Sequence, residues 1–212
     1  MLQITEPITL ITDFILAAVG LFLGAKLLKK NKISPQKTIK FFAITLLSLS
    51  LSAFFGGIYH GFKNIIGVTA SAVTWLTTLY SLNVMAFFLL LAGSYLAKNA
   101  VIKKILPVGA SVKLICFLIV SSLTGQFMFV ILDYGISIII LASILIYLVA
   151  QNIGRRAALI TLSGLSVSVL AGLIQFLGIS PHRYFNNNDI YHTLQIIGIC
   201  LTYLGAKSLK DA

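Results

Sequence analysis

Apolar runs close to twenty residues long, broken by short polar stretches, recur from one end of the chain to the other. A helix needs about 20 such residues to cross hydrocarbon, and the runs predict spans over 9–28, 41–60, 68–96, 105–123, 127–150, 157–178 and 190–206. Barrel strands would instead be about ten residues of strict alternation, and stretches such as Ile136 to Ala150 do not alternate. The expected fold is therefore an all-α integral membrane protein, one seven-transmembrane-helix bundle over residues 1–212 with no soluble domain. The fourth and fifth spans admit a second register. Lys113 interrupts the fourth, and a helix from Leu114 to Leu132 with its turn at Asp133-Tyr134-Gly135 also keeps seven spans.

Composition supports this reading. The chain is 58% hydrophobic and 10% charged, with a mean hydropathy of +1.01, against about 25% charged residues in a soluble domain. Charge also orients the bundle. Lys26, Lys29, Lys30, Lys32, Lys37 and Lys40 follow the first span, Lys98, Lys103 and Lys104 the third, Arg155 and Arg156 the fifth, and Lys207 and Lys210 the last, whereas the intervening loops hold only Lys63 and Arg183. Basic residues stay on the cytoplasmic side, which puts the N-terminus outside and the C-terminus in the cytoplasm. Met1 to Pro7 has no basic stretch and carries Glu6, so the run that follows reads as a retained helix and not a signal peptide.

A net charge of +11 raises the question of nucleic acid, but the cations are spread over every inner loop and form no face interleaved with aromatics. Nucleic acid is excluded as a partner, and membrane lipid is expected, at about 1 kcal/mol per basic residue near anionic headgroups. Cys116 and Cys200 fall inside predicted spans and read as small packing residues. Gly20 and Gly24 form a GxxxG that suits close helix approach, within the bundle or in a dimer.

The scarce titratable groups carry the functional information. There are five acids and three histidines, and only Asp211 falls at the cytoplasmic end. Glu6 and Asp13 flank the start of the first span, His60 closes the second, Asp133 opens the fifth, His182 precedes the seventh, and Asp189 and His192 open it. Helix N-termini favour Asp for capping and dipole reasons, which accounts for Asp133 and Asp189 individually. Ionisable groups within spans are costly and usually face an interior cavity, which predicts a convergent polar pocket at the outer end. Asp189 and His192, at i and i+3, share a helical face and form a weak metal-binding signal. His60 is the expected third ligand, with Asp133 or His182 and a water to complete the shell. Tyr59, Phe62, Trp75, Tyr134, Tyr184 and Tyr191 lie near the same boundary as an aromatic belt. Lys113 lies too deep for loop topology and is expected to snorkel inward or to mark a later helix start.

The segments Gly56-Gly57-Ile58-Tyr59-His60-Gly61 and Asn188-Asp189-Ile190-Tyr191-His192-Thr193-Leu194-Gln195 resemble the CREST superfamily of seven-helix membrane hydrolases, which includes alkaline ceramidases and the progestin and adiponectin receptor proteins. The likeness is nearest to a divergent bacterial branch, which implies the inner (cytoplasmic) membrane. It implies a zinc held by one histidine late in the second helix and two at the start of the seventh, with an aspartate and a serine nearby, hydrolysing lipid amides. His60 and His192 match those positions. Gly56 stands where the serine would be, Asn188 where the first histidine of the seventh helix would be, and Asp133 lies on the fifth helix instead of near the third. The expectation is thus a zinc-dependent hydrolase of a lipid amide or ester, its site altered or degenerate, with metal ligands His60, Asp189 and His192 and with Asp133 as proton acceptor. The alternatives are a non-enzymatic seven-helix protein, receptor-like or scaffold, and a small-solute transporter. A retinal protein is excluded, because the seventh span has no lysine at its middle.

Orientation is directly testable. A reporter joined after Ala212 through a flexible linker is expected to be cytoplasmic and one inserted in the 180–187 loop external, and the reverse labelling would invert the map.

Overall fold

The computed structural model describes residues 4–182 and 185–212, so Arg183 and Tyr184, each assigned above to the outer surface, lie outside the described residues, as do residues 1–3. Seven helices account for nearly all of it: α1 (Pro7–Ile33), α2 (Lys37–Phe62), α3 (Val68–Leu96), α4 (Ala100–Thr124), α5 (Phe127–Ala150), α6 (Arg155–Leu177) and α7 (Asn187–Ala206). The first six are long and apolar enough to cross a membrane. Their ends follow local chemistry. Pro7 opens α1 where its missing N–H costs nothing, the Asn99 side chain accepts from Val101 N and Ile102 N to cap α4, and Gly125, at φ 61°, closes α4 in a left-handed conformation that suits glycine.

That glycine turn decides between the two registers. α4 runs unbroken through Lys113 and ends at Thr124, so Asp133 lies inside α5 and not in a turn. Neither expectation for Lys113 holds. Its helix begins earlier than drawn, and its ammonium is paired with the Asp133 carboxylate across the α4–α5 contact.

The packing forms a closed ring in the order α1, α2, α3, α5, α6, α7, with α7 returning to α1 and α4 left outside against α3 and α5. Only Ala110 and Ser121 of α4 are buried. Cys116 accordingly lies exposed on its outer face instead of packing inside.

Small residues set how tightly the ring closes. A Cβ on Gly24 would lie 2.9 Å from Leu47, and one on Gly57 would lie 2.8 Å from Phe14, so glycines on both helices bring α1 and α2 together. The GxxxG of α1 therefore serves packing within the bundle. The α6–α7 seam is tighter still, because a Cβ on Gly164 would stand 2.4 Å from Thr202 Oγ1 and 2.6 Å from the Gly198 carbonyl oxygen. Buried hydroxyls add cross-links: Ser50 donates to the Ala17 carbonyl at 2.6 Å and Ser52 to the Thr78 carbonyl at 3.0 Å.

At the end of the bundle that carries the C-terminus, the Asp211 carboxylate accepts from Lys37 N and Thr38 N at 2.7 and 2.9 Å. The last residues thus cap the second helix, and Asp211 N in turn donates to Gln36 Oε1 at 2.7 Å.

Gly164→Ala is expected to lower thermal stability, since overpacking of this kind costs about 1–3 kcal/mol. Gly135→Ala, where a Cβ meets nothing within 4 Å, is expected to leave the melting temperature unchanged or raise it. Melting curves of both in one detergent check the contrast.

Candidate functional site

The beginnings of α1, α3, α5 and α7 and the ends of α2 and α6 meet at one end of the ring, as antiparallel neighbours joined by short loops must. Thr5 N donates to the Gly61 carbonyl at 3.1 Å, Trp75 Nε1 to the Gly125 carbonyl at 2.7 Å, and Gln175 Nε2 to Asn188 Oδ1 at 2.7 Å. Inside this end lies a cavity of about 80 Å³, room for a small group or a few waters. All six ring helices line it: Asp13, Ser52 and His60, Trp75 and Thr78, Phe127, Gln175, and Tyr191 and His192 among them. His60 and His192, far apart in sequence, share this cavity.

α7 is positioned by its own start signal. Asn186 accepts from the backbone of Asn188 and Asp189 at 2.8 and 3.3 Å, and Asp189 Oδ2 returns a bond from Asn186 N at 2.8 Å, a reciprocal capping box. The other carboxylate oxygen, Oδ1, accepts from Thr9 Oγ1 at 2.8 Å. Asp189 is therefore spent on fixing α7 to α1 and does not line the cavity. Its expected partnership with His192 in ligation gives way to a different one. One turn on, His192 Nε2 lies 3.2 Å from Asp13 Oδ1.

The orientation of His192 follows from Thr12. The Thr12 hydroxyl lies 3.1 Å from the Thr9 carbonyl and 3.0 Å from His192 Nδ1. Where Thr12 gives its proton to Thr9 and accepts from Nδ1, Nε2 is left facing a carboxylate oxygen across a gap that takes a proton or a metal; in the other tautomer Nε2–H donates to Asp13 Oδ1 directly. Asp13 is only 3% exposed, and its second oxygen, Oδ2, is buried without a partner. Gly56 adjoins it, and a Cβ there would lie in van der Waals contact with both carboxylate oxygens at 3.4 Å. The position where the resemblance expects a serine thus borders this carboxylate.

His60 is held in the same way. Its Nδ1 lies 3.0 Å from Glu6 Oε2, and Lys63 Nζ donates to Glu6 Oε1 at 2.6 Å. Nε2 is the ring nitrogen left over on the residue that lines the cavity. Aromatic rings surround it, with Tyr59 on Trp75 at 4.7 Å between centroids and Trp75 to Phe127 and Phe127 to Tyr191 at 6.1 Å each. Trp75 and Tyr191 are thus cavity walls and not only a surface belt.

Asp133 stands elsewhere. It is fully buried, its carboxylate is engaged by Lys113, and it is not among the residues lining the cavity, nor is His182. Zinc, which the resemblance implies, can be tested against the side chains present. Ligand atoms about 2.0–2.1 Å from a tetrahedral zinc stand about 3.3–3.4 Å apart, close to the separation of Asp13 Oδ1 and His192 Nε2, and each histidine carries the Nδ1 partner that orients metal-ligating imidazoles. Among the described residues no three His, Cys, Asp or Glu side chains are gathered into a ready-made site. Asp13 and His192 fit as a chelating pair, and His60 shares the cavity without closing on them.

Glu6 lies ahead of α1, outside the apolar run. The hydrogen bond from His60, aided by Lys63 and opposed by partial burial, holds its carboxyl down from 4.5 to about 2. A depressed carboxyl stabilises the fold above its unfolded pKa and loses that contribution as pH falls through the folded value. The Glu6–His60–Lys63 cluster is therefore expected to weaken between about pH 4.5 and about pH 2, and Glu6→Gln to flatten melting temperature against pH across that window.

No curated protein matches the chain. Residues 8–211, from the first turn of α1 to Asp211 and including every cavity residue named above, match a family of unknown function, DUF6962, and the chain belongs to that family.

Proposed function

We propose that this is a seven-span protein of the bacterial inner membrane, N-terminus outside, whose outer-end cavity is a metal-assisted hydrolytic site for a lipid amide or ester. The observation that carries the reading is the 3.2 Å approach of Asp13 Oδ1 to His192 Nε2, beside a buried carboxylate oxygen without a hydrogen-bond partner. The likeness of the His60 and His192 segments to membrane hydrolases supports the reaction class, and the alternating basic loops support the orientation. α7 falls outside the apolar six because Asn187, Asn188, Asp189, His192 and Gln195 crowd its sequence. It nevertheless runs parallel to α1, pairing Thr9 with Asp189 and Asp13 with His192, and is packed between α1 and α6, which favours a seventh span.

In this reading Asp13, in the place expected for Asp189, and His192 are the primary ligands, and His60 remains the third. A divalent metal held there would supply a Lewis acid and a water of lowered pKa. Thr12 orients His192, Glu6 orients His60, and the Thr9–Asp189 bond sets the height of α7 against α1. Asp13 Oδ2, inside the cavity wall, takes the proton role that Asp133 was expected to play. The cavity admits a carbonyl group and a water, while acyl chains stay among the helices and the bilayer. A second reading rests on the missing third donor: a proton shared by Asp13 and His192, as in a small-solute transporter.

Elemental analysis of protein prepared without a histidine tag or added metal separates these. Wild type is expected to retain zinc and to release fatty acid from a fluorescent acyl amide in proteoliposomes. Asp13→Asn and His192→Ala should lose both, by about 100-fold or more in rate, whereas His182→Ala and the double variant Lys113→Met/Asp133→Leu should retain both. Wild type without metal, together with amide cleavage unchanged in His192→Ala, would sink the hydrolase reading.

A further inference from the structure

A second cavity lies at the opposite end of the bundle and shares no residue with the first. It is open, about 700 Å³, and sits between the start of α6 and the end of α7. Arg155, Arg156 and Lys207 line it, with Ile160 and Leu204 continuing its wall toward the apolar flank. A bias of basic residues to one side explains cations at this end, but not three of them around one hollow. No acidic side chain of the protein answers them, and the Ala212 terminus is met by Lys103. Of the five acids in the sequence, Glu6 is held by His60 and Lys63, Asp13 by His192, Asp133 by Lys113, Asp189 by Thr9 and its own cap, and Asp211 by the backbone of Lys37 and Thr38.

Two of the cations are also placed against local electrostatics. Arg155 and Arg156 occupy the first turn of α6, where the helix dipole disfavours positive charge, and Gly154 before them offers no side-chain cap. At the same end of the bundle Lys37 opens α2 in the same way, and there the chain brings Asp211 to supply an anion. At α6 no acidic side chain takes that place.

We propose that this hollow binds the phosphoryl group of an anionic membrane lipid between Arg155, Arg156 and Lys207, its acyl chain lying along Ile160 and Leu204. The chemistry recognised is a phosphate. The apolar wall adjoining the cations selects a lipid over a free anion, because a soluble phosphate makes no use of it. The site is independent of the outer cavity, and neither proposal depends on the other.

The test compares the full chain, purified in a neutral detergent, with two triple variants that each lose three positive charges. Arg155→Gln/Arg156→Gln/Lys207→Gln removes the hollow's cations, and Lys29→Gln/Lys30→Gln/Lys32→Gln removes exposed cations after the first span. Each is titrated with phosphatidylglycerol, phosphatidylcholine and inorganic phosphate, with melting temperature and the lipids retained in native mass spectrometry as readouts. Phosphatidylglycerol is expected to stabilise wild type and the loop variant alike, and to bind the cavity variant about 100-fold more weakly, with no such dependence for phosphatidylcholine. Lys207→Gln alone should give a smaller loss in the same direction and guards against misfolding of the triple variant. Stabilisation by inorganic phosphate alone, with the same dependence on the three cations, would overturn the lipid assignment. Equal weakening in the two triple variants, or none in either, would overturn the site.

Discussion

Hydrocarbon offers no hydrogen bonds, so every polar group carried into the membrane has to find its partner on another helix or its own. Most of the architecture can be traced to that constraint. Thr9 meets Asp189, Thr12 and Asp13 meet His192, Asn83 meets Ser121, and Lys113 meets Asp133, each pair joining helices that apolar packing alone would leave free to slide. Apolar side chains cannot specify register in lipid, since one aliphatic contact resembles the next. These polar pairs specify it, and the glycines of α1, α2, α6 and α7 let the helices come near enough for short side chains to reach.

The same constraint separates two of the three buried acids, Asp133 and Asp13, by role. Asp133 and Lys113 neutralise one another at the contact between the ring and the peripheral helix, and their pairing attaches α4, which otherwise buries little. Each acid keeps one carboxylate oxygen without a hydrogen-bond partner, but Asp13 faces an imidazole and a cavity where Asp133 faces an ammonium. An acid given a full counter-charge is structural in character, whereas an acid left short of one retains the capacity to bind.

The helices were legible because apolar length is a one-dimensional signal, and four of the seven predicted spans, 68–96, 127–150, 157–178 and 190–206, match observed helices within three residues at both ends. The cavity was legible in part. His60 and His192 were identified because histidines are rare here and both lie where spans begin or end. Asp189 was read as a ligand beside His192, whereas its oxygens meet Thr9 and the Asn186 backbone, because a capping box and a ligand pair look alike at i, i+3. Asp13 was passed over as a flanking residue, although its place in Ile11-Thr12-Asp13-Phe14-Ile15 is that of an ionisable group inside an apolar run, and Thr9, four residues earlier, shares its helical face. Lys113 and Asp133 were read singly because nothing in a sequence marks two charges 20 residues apart as neighbours.

Ring closure by α1 and α7 also has a consequence for biosynthesis. Both bonds that Asp189 and His192 make to α1 through Thr9 and Thr12 span 180 residues, and the cap that Asp211 places on α2 spans 173 or 174. Chains are made from the N-terminus onward, so Asp13 is delivered to the membrane as a lone carboxyl and waits for nearly the entire polypeptide before its imidazole arrives. A ribosome that stalls before α7 leaves an acid unpartnered in lipid and a ring with a missing stave, two marks by which a membrane protease could tell an unfinished molecule from a finished one.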